Sequence, residues 1–223
     1  MAVFLSLALP ADLPQHWVDR FYSGLLKLAK RHGAVLAGGD TAQSPDGVLA
    51  DVMVIGSAPR GKALLRSGAK PGDRIYVTGN LGLGGATVRR LYGGERVRAI
   101  GTYFYPEPRV EVGRKLRGVA SAMIDISDGL STDLSHICEE SGVGAAVYEP
   151  ALPVAKGATL EDALYGGDDY ELLFTSSKRV PKEIEGVRVT EIGEVLARKG
   201  MWIQDERGKT KRLKAKGWEH FRS

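Results

Sequence analysis

Short apolar runs meet glycine-bearing, acidic turns at several places in this chain: AVLAGGDT at 34–41, MIDISDGL at 123–130 and, with the turn first, YGGDDYELLF at 165–174. Runs of this length that are bounded by glycine and aspartate read as strands, and they place the polar chemistry at strand ends. IYVTG at 75–79 is a further β-branched strand, and the glycine-rich NLGLGG at 80–85 follows it and feeds a short helix. Between such segments lie helical patterns. Trp17, Val18, Phe21, Leu25, Leu26, Leu28 and Ala29 keep a 3.6-residue spacing that ends at Gly33; residues 110–120 have helical spacing; Leu130, Leu134 and Ile137 share one face of a helix that stops before Gly142. YFYPEPR at 103–109 holds two prolines and reads as an extended linker. AAVYEPALP, YELLFTS, VRVTEIGEV and GMWIQD supply further strands, so the expected fold is α+β, a sandwich-like α/β arrangement with an antiparallel terminal hairpin. A turn-rich stretch at 60–72 marks a boundary between two modules, 1–66 and 67–223.

A chain of 223 residues can bury a core without staples, and 43% hydrophobic against 26% charged residues is an ordinary globular balance. No run approaches the roughly 20 apolar residues of a membrane span. MAVFLSLALP lacks a basic leader and a cleavage site and reads as an interior segment. The single cysteine, Cys138, reads as a buried filler on a helix, and one thiol without a partner fits a reducing compartment such as the cytoplasm. Of the net charge of +4, the excess lies between Arg198 and Lys216, where eight Lys or Arg face Asp205 and Glu206. With only Trp202 interleaved, this stretch reads as a solvated hairpin rim or a surface attracting anionic metabolites; no nucleic-acid partner is expected.

On a strand Asp125 and Ser127 point the same way, while Asp128 and Gly129 sit where the chain turns into the next helix. Carboxylates held together raise one another's pKa unless a cation intervenes, and Mg²⁺ takes such oxygens together with phosphate. The competing reading makes Asp128 a helix cap and Asp125 a turn residue. In GGDT the paired glycines permit close approach of an anion, with Asp40 facing a metal that the anion carries, or they form a tight turn. Asp168, Asp169 and Glu171 need solvent, counter-ions or a ligand's polar groups; an exposed acidic loop satisfies them equally. NLGLGG does not keep dinucleotide-binding spacing, no P-loop is present, and His16, His32, His136 and His220 lack zinc-site spacing. No nucleophilic triad has a local signature, so no catalytic nucleophile is expected.

In order along the chain, GGDT, LLRSGAKPGDRIYVTG, PEPRV, MIDISDGLSTDLSHI, GGDDYELLF and GWEHF resemble the thiamine-monophosphate kinase family, within the ATP-binding superfamily that includes aminoimidazole ribonucleotide synthetase. The resemblance implies that 1–66 is the end of an N-terminal ATP-binding and dimerisation domain and that 67–223 is a C-terminal α/β domain. It implies transfer of the γ-phosphoryl of ATP to thiamine monophosphate with Mg²⁺, giving thiamine diphosphate, by a homodimer in full-length members. Gly39 and Asp40 would touch ATP, Asp40 also a magnesium; Arg66 and Ser127 would meet the nucleotide; Asp125 and Asp128 would hold metal. Asp168 and Trp218 would contact the thiamine moiety, with Asp168 standing where the family has Glu. Asp133 is expected on the helix surface or in support. The family's N-terminal G-D-D-A and T-x-D metal motifs do not occur in this sequence, so the chain alone is expected to have little kinase activity. The alternatives are an inactive nucleotide- or thiamine-binding fragment and another ATP-dependent member of the superfamily.

Overall fold

The computed structural model describes residues 1–98 and 101–218. His220 and the remainder of GWEHF after Trp218 lie outside the described residues. The chain divides into two compact units, Met1–Gly61 and Lys62–Ser223. Among the described residues no helix is long and apolar enough to cross a membrane.

In the first unit, β1 (Ala2–Leu9) is followed by α1 (Gln15–Arg31), β2 (Val35–Gln43) and β3 (Leu49–Ile55). The opening apolar run is the central strand: β1 pairs parallel with β2 and antiparallel with β3, and its alternate residues Val3, Leu5 and Leu7 are buried. The reading of AVLAGGDT as a buried strand ending in a turn is corrected. β2 runs straight through GGDT to Gln43, has no buried residue, and pairs with β1 along its length. Gly39, at φ 152°, lies so close to the Leu5 backbone that a Cβ would overlap it. Here the glycines serve close strand approach, beside a register shift between Val3 and Phe4, and the chain reverses only at 44–48, where the Ser44 hydroxyl donates to the Asp46 carbonyl at 2.7 Å.

The second unit runs β4 (Arg74–Thr78), α2 (Leu83–Tyr92), α3 (Val110–Lys115), β5 (Ala122–Asp125), α4 (Leu130–Ser141), β6 (Gly144–Tyr148), α5 (Leu160–Tyr165), β7 (Leu172–Ser176), β8 (Glu183–Ile184), β9 (Val187–Leu196), β10 (Gly200–Gln204) and β11 (Thr210–Arg212). The strand order is β11-β10-β6-β9-β4-β7-β5, with β8 added to β9. Among these strands β6 and β10 pair in parallel and the other pairings are antiparallel, with an isolated parallel bridge between Leu81 and Val154. Alternation sends Ile75, Val77, Ile124, Leu173 and Ile192 to one face, where they meet Leu130, Leu134 and Ile137 of α4 and Ala163 and Leu164 of α5. Tyr76, Phe174 and Val189 go to the other face, against Val112 and Leu116. The helix expected over 110–120 stops at Lys115 because Gly118, at φ 73°, reverses the chain ahead of β5.

Candidate functional site

The turn from β5 into α4 is built by a residue downstream of it. Asp133, one helical turn into α4 and 1% exposed, accepts hydrogen bonds from the amides of Ser127, Asp128 and Gly129, each at 3.1 Å on Oδ2. It is therefore support rather than surface, and it satisfies amides that a helix start leaves without partners. Gly129, at φ 112°, is the cap residue, and no side chain caps the helix. The capping reading of Asp128 thus fails, and the residue is half-buried beside the Asp133 carboxylate. Burial pushes the Asp133 carboxyl up to about 6, the negative charges of Asp128 and Asp125 add to this, and the amide bonds oppose it. Asp125 is exposed at the end of β5, after the buried Ile124 and before the buried Ile126. Asp128, Asp133 and His136 bring ligand atoms within 4.8 Å of one another. The sequence reading missed His136, although its i, i+3 spacing from Asp133 puts the two on one face of a helix.

The YGGDDYE segment closes over that turn. The Asp168 amide donates to the Ser127 carbonyl at 2.9 Å and the Tyr170 amide to the Ile126 carbonyl at 2.8 Å. Asp168 and Tyr170 both take left-handed backbone angles, φ 63° and 52°, and the Asp168 Oδ1 accepts the Tyr170 hydroxyl at 2.8 Å. Burial, then the Asp168 carboxylate, push the Tyr170 phenol up to about 12. The alternative of an exposed acidic loop is corrected, because the other two acids are committed inward. Asp169 accepts the amides of Gly82 and Gly84 at 2.6 and 3.1 Å, and burial pushes its carboxyl up to about 6 against those bonds. Glu171, 5% exposed, takes the Arg109 guanidinium at 2.8 and 2.5 Å and the Thr78 hydroxyl at 2.5 Å. The amides of NLGLGG that a phosphate would need are thus held by Asp169, and the proline-flanked linker ends at the cation that neutralises Glu171.

A third segment is laced to the same place from the end of the described chain. The Lys216 amide donates to Ser131 Oγ at 3.3 Å, Gly217 to Thr132 Oγ1 at 2.9 Å, and Trp218 to the Asp128 carbonyl at 2.9 Å. Ser127, Asp128, Asp168 and Trp218 thereby converge, with Asp125 at the adjoining strand end, and the Trp218 indole is 64% exposed. Among the described residues Asp125, Asp128 and Asp168 pair with no Lys or Arg. Arg66 is exposed; its carbonyl accepts Ser141 Oγ at 3.4 Å, and the Leu65 carbonyl beside it accepts the Met123 amide at 2.8 Å, which runs this stretch along β5. Gly39 and Asp40 belong to the first unit and line a cavity of about 390 Å³ there with Leu5, Tyr22 and Leu36.

Family models of the AIR synthase related proteins match this chain, the N-terminal domain over residues 1–58 and the C-terminal domain over 70–205. Thiamine-monophosphate kinase from Salmonella typhimurium is 41% identical over 206 residues, covering 86% of this chain and 61% of its own. The crystal structure of thiamine-monophosphate kinase from Stenotrophomonas maltophilia K279a matches with a TM-score of 0.83 at 33% identity, covering 91% of this chain and 71% of its own. That of AaThiL complexed with AMPPCP and TMP matches with a TM-score of 0.82 at 29% identity, covering 99% and 73%. Within the AIR synthase related class, the chain belongs to the thiamine-monophosphate kinase family. It spans about three-fifths of the length of the Salmonella relative.

Proposed function

We propose that this chain carries the acceptor-binding part and a share of the nucleotide-binding part of an ATP-dependent thiamine-monophosphate kinase. The observation that carries the reading is the lacing of three remote segments, 126–133, 166–171 and 216–218, which brings Ser127, Asp128, Asp168 and Trp218 into one cluster. A family relative whose structure contains AMPPCP, an ATP analogue, and TMP supports the substrate pair.

Asp125 and Asp128 offer hard oxygen donors with no protein counter-cation, beside a third carboxylate already pushed up to about 6. That donor set fits Mg²⁺, and Asp40 is assigned to the same task in the first unit. When bound, Mg²⁺ supplies charge neutralisation to the phosphates. The chain's own residues do the positioning. Asp133 fixes the 127–129 backbone so that Ser127 and Asp128 hold one orientation, and Gly39, Arg66 and Ser127 are assigned to the nucleotide. The exposed Trp218 indole offers a face on which a cationic heterocycle stacks, and Asp168 offers it a carboxylate. Transfer between phosphates requires alignment and electrostatic stabilisation, and no protein nucleophile. We assign the working form to a cytoplasmic homodimer.

The test compares this chain with a version extended at its N-terminus to the relatives' length, following ATP- and Mg²⁺-dependent formation of thiamine diphosphate by chromatography. The extended version is expected to turn over, and Asp128→Asn to slow it about a hundredfold. The chain alone is expected to bind thiamine monophosphate in calorimetry, with Trp218→Ala weakening this about tenfold. An extended version that makes no thiamine diphosphate overturns the reading; binding without turnover in both versions identifies a non-catalytic binding protein.

A further inference from the structure

On the sheet face opposite α4, a second polar cavity of about 350 Å³ lies between β4, β9 and the loop before β8. Its lining carries four cations, Arg74, Arg179, Lys182 and Arg188, against one carboxylate, Glu191. Glu191 is committed to Arg74 at 2.9 Å. Glu183 stands opposite Arg188 in the β8–β9 register, yet among the described residues Arg179, Lys182 and Arg188 form no ion pair. Cations gathered without counter-ions repel one another, and an anion between them removes that repulsion.

A cluster of surface cations alone would be a solvated rim, but Tyr76 distinguishes this one. It is 3% exposed and lines the cavity, its ring stacks on Phe174 with centroids 5.3 Å apart, and its hydroxyl is buried without a hydrogen-bond partner. The Glu191 carboxylate and the Val180 amide are close enough to move the phenol's pKa, which burial raises first, yet neither closes a bond with it. A buried hydroxyl held in place by stacking and left without an acceptor is a donor in search of an oxygen.

We propose that this cavity is a binding site for the phosphate or diphosphate group of a small molecule, separate from the aspartate cluster and working without a metal. Arg179 and Lys182 supply the charge, the Arg179 guanidinium gripping two oxygens of one phosphate, and the Tyr76 hydroxyl donates to a third. The volume is at the small end of ligand sites, matched to a phosphorylated fragment and too confined for a polymer.

The experiment is calorimetric titration of the 223-residue chain with inorganic pyrophosphate in excess EDTA. Under these conditions Asp125 and Asp128 have no Mg²⁺ through which to recruit an anion, so the result is independent of the kinase reading. Saturable binding at one site is expected, weakened about tenfold by R179Q/K182Q. Tyr76→Phe is expected to weaken it severalfold while leaving the free chain at least as stable, and D125N/D128N to leave it unchanged. The absence of saturable heat, equal binding by R179Q/K182Q or by Tyr76→Phe, loss in D125N/D128N, or binding to heparin alone each overturns the proposal. Arg179→Gln by itself carries the same expectation if the double variant loses its circular-dichroism signal.

Discussion

Asp133 and Asp169 perform the same task in different turns, each burying a carboxylate so that the amides of a glycine-bearing turn have an acceptor. The cost appears in their titration. Asp169 goes from an ordinary 3.8 to about 6 in the fold, so the folded state holds a proton that the unfolded state releases between about pH 4 and pH 6. Stability contributed below pH 4 is therefore lost as the pH rises through that window, by about 3 kcal/mol at most, and is level above it. Asp169→Asn does not titrate, although its one amide oxygen replaces two carboxylate oxygens and keeps only one of the two amide bonds; urea midpoints measured from pH 4 to pH 7 are expected to start lower and to fall less with pH for this variant than for the parent chain. Glu171→Ala leaves the Arg109 guanidinium, 17% exposed, without its counter-charge, and urea denaturation at pH 7 is expected to show a loss of about 3–5 kcal/mol. Sequence reasoning singled out Asp125 and Asp128 as metal ligands or cap residues from their place at a strand end, and Asp168 and Trp218 through the family resemblance; the structure brings Asp128, Asp168 and Trp218 to one place. The same reasoning left Asp133 between surface and support although its amide partners lie only four to six residues back, and it did not resolve Asp169 and Glu171 into supports because their partners, two amides 85 and 87 residues away and an arginine 62 residues away, are contacts that no local pattern encodes.

Between elements, glycine acts through packing more than through flexibility. A Cβ on Gly84 in the first turn of α2 would overlap the Gly167 carbonyl, one on Gly167 would overlap the Ser127 carbonyl, and one on Gly85 would come to 3.0 Å from the Gly166 Cα. Three glycine turns thus interlock backbone to backbone, which brings strand ends from β4, β5 and β7 close enough to share one cluster. Gly24, inside α1, has nothing within 4 Å. Opposite results are expected from the same substitution: Gly84→Ala lowers stability by about 1–3 kcal/mol, whereas Gly24→Ala raises the helix's stability by about 0.5–1 kcal/mol, both read by thermal melting. Strands and helices with a clear period, β4, β7, β9, α1 and α4, were legible in the sequence. The six-residue α5 and two-residue β8 are too short to show a period, and GGDT was mistaken for a turn because glycine pairs serve close strand approach as well as chain reversal.

At the scale of the molecule the two units differ in how fully they bury their apolar residues. The second has apolar clusters on both sheet faces, while in the first Val35, Leu49, Met53, Val54 and Ile55 are each more than half exposed. Apolar strands presented this way favour association. Size-exclusion chromatography is expected to show concentration-dependent self-association of this chain, reduced by a charged substitution such as Val54→Lys. The seam that joins 216–218 to 131–132 bridges 85 positions of sequence. Closing so long a loop is entropically expensive, so the seam forms only after the sheet has given it a surface to dock on. Refolding should therefore restore the circular-dichroism signal of the sheet before it restores the proposed binding of thiamine monophosphate, leaving an interval in which the protein is structured but its aspartate–tryptophan cluster is not yet assembled.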